Sequence, residues 1–321
     1  MLARLAMRLS LGTALAAAGA LALAAPANAA LECGDEIHSS KTLRSNLECD
    51  GSVDGLALEG DDITLDLNGH RISAEPNAAA STGIFVGHGT GNKVTDGKVR
   101  GFDTGVEAGE STRATLSKLD IKAEVTDVSV AESVGTRVVE NVLRHGLSSP
   151  LVVAGQFTED VKVLRNRVTN AGSAGIVLAE LEGADVRSNH VDGADEAGIL
   201  IQGSASDVGV VDNRVERTEG GGIVISTGAA AVKARANTVL DVNFNGFFVA
   251  GGTDVTLRAN VAKRSQNGDG IHVEDADTLI EDNTVINNDQ HGIESSSANG
   301  SGNVARRNGV TPQCMPEALC T

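Results

Sequence analysis

The sequence predicts an all-β protein, a single-stranded right-handed parallel β-helix solenoid of about ten coils, disulfide-clamped at both ends. Two short motifs recur in step from Gly83 to Gly292 at intervals of 22–25 residues. Their apolar slots hold Val and Ile more often than Leu, the preference of a pleated, half-buried strand. The third observation is an absence: the 321 residues include no Trp, no Tyr and six Phe, against 38 Gly. A globular core of this size would use aromatic rings to fill its volume, whereas a thin repetitive core of Val, Ile, Leu and Ala does not need them.

Residues 1–29 read as a secretory signal peptide. Arg4 and Arg8 form a short basic start, no charge follows until Glu32, and an Ala/Leu-rich run leads to Pro26 and an A-x-A site at Ala27-Asn28-Ala29. An uncleaved anchor would need a similar length of apolar chain, but Pro26 followed by small residues favours cleavage. Glu32 stands where a lipoprotein signal before Cys33 would need a small residue. No later segment is apolar enough to cross a bilayer. The expected location is therefore secreted, extracellular or periplasmic, with no membrane insertion after cleavage. Cleavage removes two of 26 basic residues and none of the 43 acidic ones, taking the net charge from −17 to −19. Such a surface repels polyanions, so no nucleic-acid partner is expected.

Residues 30–82 form an N-terminal cap and first irregular coils, with D-D-I-T-L-D-L-N-G-H-R-I (61–72) strand-like and 75–82 a surface loop. Cys33 and Cys49 lie at this end of the chain, Cys314 and Cys320 at the other. The ends of a rod are too far apart for a disulfide, which needs Cα atoms within about 7 Å. That leaves Cys33–Cys49 and Cys314–Cys320, each clamping one terminus in an oxidising compartment.

Residues 83–302 carry the regular coils. One register is Asn-x-apolar, seen as N-R-V at Asn166, N-H-V at Asn189, N-R-V at Asn213, and N-T-V at Asn237 and Asn283, with looser copies at Asn141 and Asn260. The other is Gly-apolar-x-apolar: G-I-V-L at Gly175, G-I-L-I at Gly198, G-I-V-I at Gly222, G-F-F-V at Gly246 and G-I-H-V at Gly270. Across ten copies from Gly83 to Gly292 the starts are 22, 22, 23, 25, 23, 24, 24, 24 and 22 residues apart. Three short strands fit each period. The Asn is expected to make the bend, since Asn tolerates left-handed backbone and can hydrogen-bond to its copy one rung away. A leucine-rich repeat also matches V-x-V-x-x-N-x-V, but would follow the Asn with a helix. Here the next stretch is Gly-rich and alternates at period two, as in E-R-T-E-G-G-G-I-V-I-S (216–226). Left-handed β-helices use hexapeptide periods, which the chain lacks. Residues 303–321 form a C-terminal cap.

The segment C-G-D-E-I … L-E-C (33–49), the run D-I-T-L-D-L-N-G-H-R-I (62–72) and the N-x-V … G-I-x-V repeats resemble secreted bacterial β-helix proteins of the pectin-lyase-like superfamily, including NosD-like relatives built from PbH1 repeats. The resemblance covers essentially the whole mature chain and implies the fold rather than one activity. That superfamily includes polysaccharide lyases, glycoside hydrolases, sugar epimerases, phage tailspikes, adhesins and a copper-maturation factor. The chain departs from the polygalacturonase pattern: Gly87-His88-Gly89 precedes everything else, Asn267-Gly268-Asp269 only loosely echoes the first element, and no ordered set survives. Met315 is the one Met expected in the mature chain, so thioether-rich copper sites are absent.

Strand geometry turns the second register into a surface map. Residues flanking x point inward, so x points out, and successive x residues lie about 4.8 Å apart. From start to end the column reads Phe85, Glu107, Ser129, Val152, Val177, Leu200, Val224, Phe248, His272, Glu294. Val177, Leu200, Val224 and Phe248 make an apolar strip suited to a sugar ring, and His272 with Glu274, Glu294 and Asp269 is the candidate catalytic group. A His flanked by carboxylates can act as general acid or base; on so acidic a chain the favoured expectation is a surface ion pair. Calcium bridging by Asp269, Glu274 and Glu294 would need a denser ligand spacing, so no metal and no cofactor is expected. Arg187, Arg235 and Arg258, with Lys233 nearby, form a second stripe expected to be a solvated face. Lacking ordered catalytic motifs and Trp or Tyr platforms, the chain is expected to be a binding scaffold that presents its ladder face to a polysaccharide or cell-surface partner. The alternative is a carbohydrate-active enzyme, a lyase, hydrolase or epimerase, using His272.

Overall fold

The computed structural model describes residues 30–50, 53–75, 81–144, 146–275, 277–297 and 299–321, so the expected signal peptide lies outside the described residues. Residues 31–321 form one compact unit. It is an all-β solenoid in which each winding contributes up to three short strands. One ladder contains thirteen parallel strands, from Asp35–Ile37 at the start to Cys314–Met315 at the end. The other two ladders flank the Asn bend. Their strands are separate in windings such as Glu182–Arg187 and His190–Ala194, and fuse into single long strands at Lys93–Arg100 and Thr115–Lys122. Among the described residues the one helical element is the 3₁₀ turn Glu317–Leu319, so the leucine-rich-repeat alternative is excluded.

The coil count corrects the expectation of ten. Thirteen rungs in the first ladder bound twelve windings. The extra rungs come from Asp35–Ile37 and Leu56–Glu59 before the repeat, and Cys314–Met315 after it. Asp35–Ile37 and Cys314–Met315 do not carry the Gly-apolar-x-apolar signature, whereas Gly55-Leu56-Ala57-Leu58 does. There, however, 28 residues separate Leu56 from its partner Ile84, outside the interval seen elsewhere. A longer loop hid a regular pairing.

Inside, identical slots stack. Ile176, Ile199, Ile223, Phe247, Ile271 and Ile293 form one interior column and all are buried. Each such side chain contributes roughly 1.5–3 kcal/mol of burial free energy. Gly222 explains why the second motif begins with glycine: a Cβ there would collide with a Val239 methyl and the Gly246 carbonyl oxygen. Asp127 occupies that glycine slot in an early winding and is fully buried. Desolvation pushes its pKa up to about 7, and hydrogen bonds from the Ala123 and Arg144 backbone offset only part of the effect.

The Asn column differs from expectation in which residue bends the chain. Left-handed backbone falls on the residue before each Asn: Glu140 (φ 59°), Arg165 (53°), Ser188 (54°), Asp212 (55°), Ala236 (56°), Ala259 (52°) and Asp282 (56°). The Asn side chains are thereby turned into the core and saturated there. The Asn189 backbone N–H and Nδ2 both donate to Asn213 Oδ1, at 2.9 and 3.0 Å, and Nδ2 also donates to the Val163 carbonyl at 2.8 Å. Asn189 Oδ1 accepts the equivalent pair from Asn166. The pattern runs from Asn141 to Asn303. Every buried donor and acceptor of the amide has a partner, as burial of polar groups demands.

Both expected disulfides are present, Cys33–Cys49 with Cα atoms 5.7 Å apart and Cys314–Cys320 with Cα atoms 6.1 Å apart.

Candidate functional site

The outward column is in the register read from the sequence. Phe85 pairs with Glu107, Glu107 with Ser129, Ser129 with Val152, Val152 with Val177, Val177 with Leu200, Leu200 with Val224, Val224 with Phe248, Phe248 with His272, and His272 with Glu294. All ten are half-buried, because each outward side chain is partly covered by its neighbours above and below.

His272 lies in strand Ile271–Val273, whose flanking Ile271 and Val273 are buried, which fixes its ring outward. Its Nδ1 donates to Asp269 Oδ2 at 2.8 Å and lies 3.5 Å from Glu294 Oε2; its Nε2 lies 3.9 Å from Glu274 Oε1. Asp269 is nearly buried and doubly placed: its Oδ1 accepts the His291 N–H at 2.7 Å, and its own N–H donates to Asn245 Oδ1 at 2.7 Å. The Asp269 hydrogen bond, opposed by partial burial and reinforced by the charges of Asp269, Glu294 and Glu274, holds the His272 pKa above its ordinary value. The Phe248 ring is 5.6 Å from the His272 ring, centroid to centroid, tilted by 48°. Thus Asp269, His272, Glu274, Glu294 and Phe248 come together. His291 does not join them, because its Nδ1 donates to the Pro312 carbonyl at 2.8 Å.

Beside this group opens an apolar hollow of about 250 Å³, lined by Gly221, Val224, Phe244, Asn245 and Phe248. Of the predicted strip, Val224 and Phe248 line it; Val177 and Leu200 continue the column beyond it. Phe244, more than half exposed, supplies the wall from the preceding loop. The arginine stripe is largely a set of surface pairs, Arg187 with Asp185, and Arg258 with Glu281 and Asp282.

A second polar cluster was missed in the sequence. Arg167 Nη1 donates to His190 Nδ1 at 2.7 Å, which makes Nε2 the protonated nitrogen, donating to Glu216 Oε1 at 2.8 Å. Arg214 and Arg217 bind Glu216 and Asp192, and Arg167 reaches Asp192 at 3.3 Å. Burial works to raise the Glu216 pKa, but hydrogen bonds from Arg214 and His190 outweigh it and hold the carboxyl below the usual range. The signal was in the x of the N-x-V register: Arg167, His190 and Arg214 stack on one another as the x of G-I-x-V do. A groove of about 370 Å³ with Asp192, Asp195, Arg217 and Glu219 in its walls adjoins this cluster.

This geometry, with parallel rungs, an interior amide ladder and an outward column, defines a right-handed β-helix protein. A family model described as a right handed beta helix region matches residues 82–262, more than half of the chain, and the protein belongs to that family. No curated protein matches the sequence. Among solved structures, the Dettilon tailspike protein superposes with a TM-score of 0.63 at 15% identity, over 85% of this chain and 58% of its own. A variant of the periplasmic alginate epimerase AlgG gives 0.54 at 12% identity, over 79% of this chain and 69% of its own. Tailspike protein 2 of the Escherichia coli O157:H7 bacteriophage CAB120 gives 0.54 at 11% identity, over 78% of this chain and 38% of its own. The chain therefore spans little more than half of the first tailspike and well under half of the second. At these identities the likeness is one of fold.

Proposed function

We propose that the mature chain is a secreted glycan-binding β-helix whose ligand lies along the outward column, with a sugar ring in the hollow beside Phe248 and its hydroxyls at the His272 cluster. The observation that carries this reading is the adjacency of the two surfaces. A pyranose has an apolar face and a polar rim, and here an apolar hollow meets a set of hydrogen-bonding groups across a single rung. The three carboxylates around one imidazole favour a neutral or amino sugar over a uronate. The tailspike and epimerase likenesses add that this fold is used by proteins whose names connect them with phage tailspikes and alginate.

The test is retention on a panel of neutral, amino-sugar and uronic polysaccharides in EDTA, followed by Phe248→Ala and Phe244→Ala. Binding to a neutral or amino glycan, weakened at least about tenfold by either change, supports the reading. Failure to retain any glycan, or retention indifferent to both changes, sinks it. Product formation abolished by His272→Ala would instead make the protein a carbohydrate-active enzyme.

A further inference from the structure

The two mixed His/carboxylate clusters are built alike, a His with an Asp and a Glu whose ligand atoms lie within 4.8 Å of one another. They differ in what surrounds them. At His190, three guanidiniums occupy the carboxylates and both ring nitrogens are already in hydrogen bonds. A cation there would have to compete with three guanidiniums for the carboxylates. At His272, no Lys or Arg forms an ion pair with Asp269, Glu274 or Glu294 among the described residues; their one cationic partner is His272 itself. Negative charge is concentrated and uncompensated, and one of its carriers, Asp269, is 3% exposed.

We infer that Asp269 Oδ2, His272 Nδ1 and Glu294 Oε2 form a binding site for a divalent transition-metal ion of the zinc class. Ligands at about 2.0–2.2 Å in a tetrahedral site stand about 3.3 Å from one another. The observed separations of 2.8 Å for Asp269 to His272 and 3.5 Å for His272 to Glu294 bracket that edge, so small rotations suffice. The ion takes the position now held by the Nδ1 proton. The surrounding hydrogen bonds are those a metal ligand needs: Asp269 is held through its other oxygen by the His291 N–H, and Glu274 stands toward the far ring nitrogen of His272. Three protein ligands leave a fourth position, on a half-buried surface beside Phe248. Calcium suits the site poorly, since it requires six to eight oxygens, and an imidazole nitrogen with two carboxylates matches the borderline preference of zinc or cobalt.

The site does not depend on the glycan reading, and its test contains no glycan. Metal-free protein is titrated with zinc chloride by calorimetry, and with cobalt chloride by visible absorption, where tetrahedral coordination gives intense bands. The expected result is one ion per chain, with affinity lowered at least about tenfold in both His272→Gln and Glu294→Gln and unchanged in His190→Gln. Circular dichroism is the check that each variant retains its strands, which is expected because the three altered side chains lie on the outer surface. The inference is overturned by absence of saturable binding below about 1 mM, by binding equally tight in His272→Gln, by binding that follows His190→Gln instead, or by a site filled by calcium but not by zinc or cobalt.

Discussion

The Asn column and the outward column wind through the same turns, and they have opposite characters. From Asn141 to Asn303 the inner column repeats one residue with one hydrogen-bond pattern. From Phe85 to Glu294 the outer column is mixed, with five apolar residues in one stretch from Val152 to Phe248 and His272 and Glu294 at its end. The inner column cannot vary, because each amide satisfies the one before and the one after it. The outer one can, because its partners are solvent and whatever binds. Repetition marks what the chain needs in order to fold, and departure from repetition marks positions that the fold leaves free to vary.

The comparison can be broken most sharply from inside. Replacing Asn213 by Ala removes the acceptor of the Asn189 N–H and of one of its two Nδ2 protons, and the side-chain donor to the Val186 carbonyl. With about 1–3 kcal/mol for each buried group left unsatisfied, a loss of about 3–5 kcal/mol is expected in urea unfolding. A loss below about 1 kcal/mol would mean that the ladder is not the stabilising element described.

Asp127 tests the interior by pH. Its folded pKa of about 7 lies above the ordinary 3.8, so the folded state holds a proton that the unfolded state releases. Stability is then full below about pH 4 and is lost as pH rises toward 7. At about 1.4 kcal/mol per pKa unit the span is on the order of 4 kcal/mol. Asp127→Asn should abolish that part of the pH dependence and be the more stable protein above pH 7; parallel stability–pH curves would contradict it. Gly222→Ala should cost about 1–3 kcal/mol through overpacking against Val239 and Gly246, measured by thermal unfolding. On the outer column, Leu200→Ser, one rung outside the hollow, should change stability by less than about 1 kcal/mol. A larger loss would mean that the outer column, too, is part of the fold.

Much of this was legible in the sequence. Copies of one motif laid over each other gave the face, its register and the inward direction of Phe247, because a strand alternates at period two and a parallel ladder keeps step. The group Asp269, His272, Glu274 and Glu294 followed from the same stacking. What escaped were features that depend on loop length or on contacts between columns. The rung Leu56–Glu59 was hidden by its longer connection to Ile84. The His190 cluster was hidden because Asp192 and Glu216 gain their meaning from Arg167 and Arg217 on other rungs. Phe244 was read as lying near the face, but not as the wall of a hollow, because it comes from a loop, which has no register to read.

The His272 rung is third from the C-terminal end of its ladder, and Glu294 is next to last, paired with Met315. One wall of the cluster therefore leans on the winding that the Cys314–Cys320 bridge pins down. A thiol reductant would act at the ends rather than uniformly: fraying would start at Cys314–Met315 and reach Glu294 first, with a matching loss at the Cys33–Cys49 end, while central rungs such as Val177 would keep their place. On the proposed reading, the binding end lies where exposure to a reducing compartment would silence it before the central windings came apart.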